Sequence, residues 1–367
     1  MRLAFLGIKN SFDYFQIGGV ESFVRRITKQ LIHHNIEVDY IFYEANQEKA
    51  ICPYQGLNLR YFKLFENALE VLDSSYDNVV EIYLLLKHRA KYASFRKNTA
   101  AKTSFHFIYF GWPDSLIKRK LYFSEARLFP YNGKLFCISK RQYEYVSKWS
   151  KNVVYILPPV PEDYFLEPNE KPRNDKLKVT FLGRIDPGKG INDVIEIFRE
   201  LKNNDQFECS IYGIHIPEDT NSLEIHKWLK NQHDIRYIEV ERKAYSPDVE
   251  EMVRSILKNT DILILPYQKL SSTIDTPLTL LEAMASLCCV ITKPFGNIPD
   301  VYGKNEISAN DNNFVRRTLN ILNKLSQEDI IKERERIYEQ NRRLNYRSDL
   351  ITQKFIDSLD ASRKSYN

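Results

Sequence analysis

Two short apolar runs, Leu3-Ala4-Phe5-Leu6 and Val179-Thr180-Phe181-Leu182, each end on a glycine, Gly7 and Gly183, about half a chain apart. Runs of this length without polar interruption predict strands over 2–8 and 178–185 that are buried on both faces. After each glycine comes a glycine-containing loop and then a helical pattern, over 20–33 in the first half and 191–201 in the second. Further strand candidates lie at 38–43, 104–110, 135–139 and 153–157, then at 208–212, 235–240, 261–266 and 288–292. Strands alternating with helices predict α/β architecture with one parallel sheet in each half. The polar, proline-bearing stretch 158–176 reads as the linker. The expected fold is two Rossmann-like domains facing a cleft. Ligands in such sheets bind outside the carboxyl ends of the strands, which directs attention to the loops after Gly7 and Gly183.

Composition narrows the class. A chain of 367 residues is long enough for two domains, and 43% hydrophobic with 28% charged residues describes a folded globular protein. No run reaches the ~18 apolar residues of a membrane-spanning helix. The amino-terminal stretch MRLAFLGIKN reads as a first strand rather than a signal peptide. The five cysteines (Cys52, Cys137, Cys209, Cys288 and Cys289) are scattered without a CxxC pair. They predict reduced thiols in a cytoplasmic protein, with no disulfide framework and no zinc site. No histidine set has metal-ligand spacing, so no metal is expected.

Charge is uneven. Residues 1–165 hold 23 Lys and Arg against 16 Asp and Glu, and within 87–151 the count is 15 against 3. That stretch must face something anionic or be strongly solvated.

The loop Gly183-Arg184-Ile185-Asp186-Pro187-Gly188-Lys189-Gly190 matches the spacing GxxxxGK of a nucleoside-triphosphate loop but has Gly190 where a magnesium-binding Ser or Thr belongs. Neither candidate loop carries GxGxxG, which removes the main support for a nicotinamide dinucleotide. What remains is Arg184 and Lys189 converging on a diphosphate as two fixed cations, or a surface turn with two solvated charges.

The segment Phe181-Leu182-Gly183-Arg184-Ile185-Asp186-Pro187-Gly188-Lys189-Gly190 resembles the donor-phosphate loop of retaining GT-B glycosyltransferases, glycosyltransferase family 4 in particular. Gly18-Gly19-Val20-Glu21 is similar to the family's amino-terminal glycine loop, Phe105-His106 to its central histidine, and Phe136-Cys137-Ile138-Ser139 to the strand before its linker. Residues 261–266 followed by Leu280-Leu281-Glu282-Ala283-Met284-Ala285 resemble its donor site, and 345–359 its last helix, which crosses back onto the amino-terminal domain. The resemblance implies a GT-B fold, with 1–163 and about 345–367 as the acceptor-side domain and 164–344 as the donor-binding domain. It also implies transfer of a sugar from a nucleotide-diphosphate sugar to a glycan or lipid-linked acceptor, as in bacterial cell-surface polysaccharide or glycolipid synthesis. The nucleotide sugar is a co-substrate, and no cofactor is implied. Arg184 and Lys189 would stabilise charge on the leaving diphosphate, with Gly18 and Gly19 allowing close backbone approach. His106 would hydrogen-bond the donor sugar, and Glu282 the ribose hydroxyls. The family pattern wants a second glutamate where this chain has Ile274. Asp275 can supply the carboxylate if the loop shifts by one residue, with Thr276 beside it and the N–H groups of Leu278 and Thr279 on phosphate. Ile274 also motivates an alternative, a GT-B-like protein that binds a nucleotide or glycan without catalysis.

Residues 79–97 have helical periodicity, with Val79, Ile82, Tyr83, Leu86, Ala90 and Ala93 on one stripe. Leu85, His88, Arg89, Tyr92, Phe95 and Arg96 form a second, aromatic and basic face, extended by Trp112, Lys118-Arg119-Lys120, Tyr122 and Phe123. This composition suits an interfacial helix, so 85–123 is expected to meet an anionic membrane surface, with the protein peripheral on its inner face. The same composition suits nucleic acid. No RRM, zinc-finger or homeodomain signature accompanies it, and nucleic acid is not the expected partner.

Overall fold

The computed structural model describes residues 1–8, 11–44, 54–72, 76–243, 246–269, 272–303 and 313–364. They form two compact units, Met1–Pro159 with Tyr346–Asn367, and Val160–Asn345.

The first unit is built on seven strands, β1 (Arg2–Gly7), β2 (Glu37–Tyr43), β3 (Leu57–Phe62), β4 (Asn78–Glu81), β5 (Ser104–Tyr109), β6 (Leu135–Cys137) and β7 (Val153–Tyr155). All pair in parallel, in the order β3-β2-β1-β4-β5-β6-β7. Leu3 stands opposite Val38 on one side and Asn78 on the other, so the strand order reverses at β1. The helices are α1 (Gly19–His33), α2 (Phe65–Leu72), α3 (Arg89–Thr99), α4 (Leu116–Leu128) and α5 (Lys140–Val146). Leu3, Ala4, Phe5 and Leu6 are fully buried, which is why an uninterrupted apolar run encodes this strand.

The second unit has five parallel strands, β8 (Leu177–Arg184), β9 (Phe207–Ile214), β10 (Arg236–Glu239), β11 (Ile262–Leu265) and β12 (Cys289–Thr292), in the order β10-β9-β8-β11-β12. Its helices are α6 (Ile191–Leu201), α7 (Thr220–Lys230), α8 (Pro247–Asn259), α9 (Leu278–Ala285), α10 (Ile298–Val301), α11 (Phe314–Leu322) and α12 (Gln327–Leu344). The last helix, α13 (Ser348–Lys364), belongs to the first unit. It packs on α1 and β5, with the Phe355 ring 4.6 Å from that of Phe136.

The helix expected over 79–97 forms only in its second half. Residues 78–81 are β4, inserted between β1 and β5, and α3 starts only at Arg89. Val79 satisfies a helical stripe and a buried strand equally well; the free edge of β1 selects the strand. The expected aromatic and basic outer face is also lost. Tyr92 and Arg96 are buried, and Phe95 packs against the core. The Arg96 guanidinium lies 3.5 Å from the Tyr131 ring centroid and donates to the Phe129 carbonyl at 3.0 Å. His88 stacks on Phe65 at 4.3 Å and bonds Glu44.

Buried charge holds the second unit together. Arg334 on α12 pairs with Asp261, whose other oxygen accepts from the Lys178 N–H at 2.8 Å, so one carboxylate joins α12 to the start of β8. The buried ammonium of Lys171 donates to the carbonyls of Leu257 and Ser286 at 2.8 and 2.7 Å, closing the ends of α8 and α9. Lys171→Met keeps the apolar stem and removes the donor from both carbonyls. It is expected to cost about 2–4 kcal/mol, read as a lower urea midpoint with unchanged slope.

Candidate functional site

At the carboxyl end of β8 the chain turns through Asp186-Pro187-Gly188-Lys189-Gly190. The Asp186 carboxylate accepts from the Gly188 N–H at 2.7 Å and closes the turn. Gly190 then takes a left-handed φ of +82° and opens α6. A Cβ there would stand 2.2 Å from the Pro266 carbonyl oxygen at the end of β11. Both conditions admit only glycine. The missing magnesium-binding hydroxyl therefore has a steric cause: the Ser or Thr position of a triphosphate loop is here a glycine packed against the Pro266 carbonyl.

The turn carries two cations. Arg184 donates from Nη2 to the Ser272 carbonyl at 3.0 Å and lies 3.9 Å from the Asp186 carboxylate. The Lys189 ammonium sits 4.8 Å from the Tyr267 ring centroid. Loss of solvent pushes its pKa down to about 7, the nearby Arg184 guanidinium adds to the fall, and Asp186 opposes it. Lys189 is thus poised to gain charge when an anion arrives.

Tyr267 is the centre of this neighbourhood, and sequence reasoning missed it. Its hydroxyl is hydrogen-bonded to the Thr279 side chain, and burial followed by the Glu282 carboxylate raises its pKa. Arg184, Lys189, Thr279 and Glu282 are therefore brought together around one ring. The only sequence signal was the position of Tyr267 directly after the apolar run 262–266. Leu278 opens α9 behind Pro277, and Glu282, one turn on, is buried. Asp275 and Thr276 are also buried, inside the loop that delivers α9. The Asp275 carbonyl accepts from the Asn297 N–H at 2.9 Å, and Asn297 Nδ2 donates to Thr276 Oγ1 at 2.8 Å. Ile274 is buried as an apolar residue.

The first unit holds the remaining expected residues. Gly18 precedes α1 in an extended conformation, and a Cβ on it would lie 2.2 Å from Glu21 Oε2. The Glu21 carboxylate thus folds back over the start of its own helix, where the dipole favours a negative charge. His106 departs from the sequence expectation. It is the third residue of β5, fully buried, and not at the strand's carboxyl end. Its Nδ1 accepts from the Lys134 N–H at 2.8 Å, which places the proton on Nε2 facing Asn78 Oδ1 at 3.0 Å. Burial pushes its pKa down to about 3. Both nitrogens are spent within the sheet, so His106 has no atom left for a sugar.

A cluster the sequence did not suggest joins His215, His226 and Glu239, whose ligand atoms lie within 4.8 Å of one another. The two rings stack 4.0 Å apart and 18° from parallel, so their lone pairs do not converge in plane on one ion. Lys230 already pairs with Glu239 at 2.8 Å. The cluster reads as an ion-pair network.

Residues 165–344 match the family described as Glycosyl transferases group 1. No curated protein sequence matches the chain significantly. Among solved structures, a glycosyltransferase from Rickettsia africae superposes with a TM-score of 0.70 at 17% identity, covering 99% of this chain and 98% of its own. HepE from Anabaena, solved with UDP and glucose, gives 0.68 at 12% identity over 98% and 99% of the two chains. A TarM variant from S. aureus, solved with fondaparinux, alpha-GlcNAc-glycerol and UDP, gives 0.63 at 10% identity over 98% and 99%. These likenesses establish a GT-B fold.

Gly190→Ala meets both a left-handed φ and the Pro266 carbonyl. It is expected to destabilise the second unit by at least about 2 kcal/mol, read as a lower melting temperature, while Gly188→Ala at its ordinary φ costs less.

Proposed function

We propose, on the premise that a chain carrying a glycosyl transferases group 1 domain is a glycosyltransferase using a nucleotide-sugar donor, that Arg184 and Lys189 hold the donor's diphosphate. The carrying observation is the pair of cations kept together at the carboxyl end of β8 beside Tyr267. Breaking the anomeric C–O bond leaves negative charge on the β-phosphate. Groups aimed there in advance stabilise the transition state without reorganising. Arg184 is suited to grip phosphate bidentately, and Lys189 adds a point charge that strengthens as the anion forms. The N–H groups of Leu278 and Thr279, in the first turn of α9, are further donors for the same anion.

Glu282 is assigned to the ribose hydroxyls, since a carboxylate accepts from two donors at once. Asp275 and Thr276 act as positioning residues that hold the start of α9. Gly18 and Gly19, at the start of α1, are candidate backbone donors to a phosphate oxygen, and His106 has no part. HepE and TarM were each solved with UDP, so a uridine diphosphate sugar is the first donor to test. The acceptor is a glycan or a lipid-linked sugar, met at the cytoplasmic face of a membrane, with configuration retained by attack on the face the leaving phosphate vacates.

Arg184→Ala and Lys189→Ala are each expected to lose roughly 2–4 kcal/mol of transition-state stabilisation, about 30-fold to 10³-fold in kcat/KM. Near-normal donor turnover in both variants would overturn the assignment. A thermal-shift series with UDP, GDP and ADP sugars and a CMP sugar tests the ligand class. The reading requires stabilisation by a diphosphate sugar, and equal stabilisation by the monophosphate sugar would refute it.

The depressed Lys189 pKa predicts proton uptake on binding. A nucleotide-diphosphate sugar has no ionisation near neutrality, so any proton taken up belongs to the protein. Below about pH 7 the ammonium is already formed and affinity is flat. Above it, affinity falls by up to about tenfold per pH unit. Calorimetry in buffers of different ionisation heat counts the proton, and Lys189→Arg is expected to abolish the uptake.

A further inference from the structure

We propose that the outer face of α4 is a docking surface for an anionic lipid bilayer. The inner face fixes the helix in place: Phe123 and Ala126 are buried in the core, and the Tyr122 hydroxyl accepts from the Phe110 and Gly111 N–H groups at 3.2 and 3.4 Å. The outer face is therefore set toward solvent. On it Leu116, Ile117, Leu121 and Leu128 keep 70%, 74%, 59% and 68% of their surface exposed. At about 100° per residue these four fall on one arc of the helix. Lys120 and Arg127, both exposed, lie within that arc, and exposed Lys118 borders it. Four large aliphatic side chains exposed on one helix form a patch, not the scatter an ordinary surface shows.

The charge selects the occupant. Cores of protein–protein interfaces are depleted in lysine, and here Lys120 stands among the aliphatic residues with Lys118 at their border. At a bilayer surface the same mixture is favourable, because leucine and isoleucine enter the acyl boundary while basic heads reach lipid phosphates along apolar stems. A helix of 13 residues is ~20 Å long, too short to cross a bilayer, and lies in its plane. Indeed no helix among the described residues is long and apolar enough to span one. Just before α4, Trp112 packs inward against Phe123 and Tyr145, with the guanidinium groups of Arg119 and Arg141 each 4.7 Å from its ring, and takes no part in this face. The surrounding stretch 87–151, with 15 basic and 3 acidic residues, adds long-range attraction to an anionic leaflet.

The proposal deepens the glycosyltransferase reading, and rests on it only in implying that the acceptor is lipid-linked. Bilayer binding itself is measured without donor or turnover. The full-length protein is floated at low salt with vesicles of phosphatidylcholine alone and of phosphatidylcholine with phosphatidylglycerol. Co-flotation is expected with the anionic vesicles only, and is expected to weaken as salt is added. Ile117→Glu with Leu121→Glu is expected to lower the bound fraction roughly tenfold, and Lys118→Ala with Lys120→Ala to lower it less. All four positions are exposed, so an unchanged melting temperature identifies the loss as one of contact rather than of folding. Failure to float with anionic vesicles, or equal flotation of the glutamate variant, overturns the proposal. So does a lipid-free dimer abolished by the glutamate variant, which would assign the face to a second copy of the chain. Arg184→Ala is expected to float normally. If nucleotide-sugar binding fails while flotation persists, the donor assignment falls and this one stands.

Discussion

An ammonium held half-buried beside a guanidinium is an unfavourable arrangement, and the second unit is organised to maintain it. Arg184 is tied by the Ser272 carbonyl, and Lys189 lies over the Tyr267 ring. Asp186 is the nearby carboxylate, but it also caps the turn, and it does not restore the ordinary lysine pKa. Such a site gains most from an incoming anion, because the ligand removes a repulsion as well as adding an attraction. The proposed reaction, whose leaving group is a diphosphate, has this electrostatic requirement.

The geometry depends on strand ends meeting closely. Gly190 lets α6 begin directly beneath the Pro266 carbonyl, so the loops after β8 and β11 share one small region. Gln268 N–H and Ser272 Oγ both donate to the Gly188 carbonyl, at 2.9 and 3.1 Å, which locks the second loop onto the first. Tyr267 enters the site because of this closeness. Farther back, Lys171 and the Arg334–Asp261 pair secure the segments that lead into β8 and α9. The precision of the cation pair is thus supported by buried polar bonds outside it.

The first unit assigns its aromatic and basic residues differently from what composition alone suggests. Tyr92, Phe95 and Arg96 on α3 complete the core, whereas α4 leaves aliphatic and basic residues outside. Periodicity ranks the faces of a helix but does not say which one meets the sheet. His106 shows the same ambiguity. A histidine between phenylalanines at a strand position is equally compatible with a ligand-facing end and with a hydrogen-bonded interior.

The alternation of apolar runs and helical patterns was enough by itself to determine two parallel α/β sheets, because a strand buried on both faces has few other encodings. The same holds for the loop from Gly183 to Gly190, whose glycines and charges are local and consecutive. Only the tertiary structure decided that 78–81 is a strand, that Tyr267 joins the cations, that His106 is spent inside the sheet, and that α4 presents its apolar side to solvent. Each of these depends on which neighbour a residue meets across the sheet or through the core. Such contacts link residues tens of positions apart, and no local pattern of hydrophobic and polar positions encodes them.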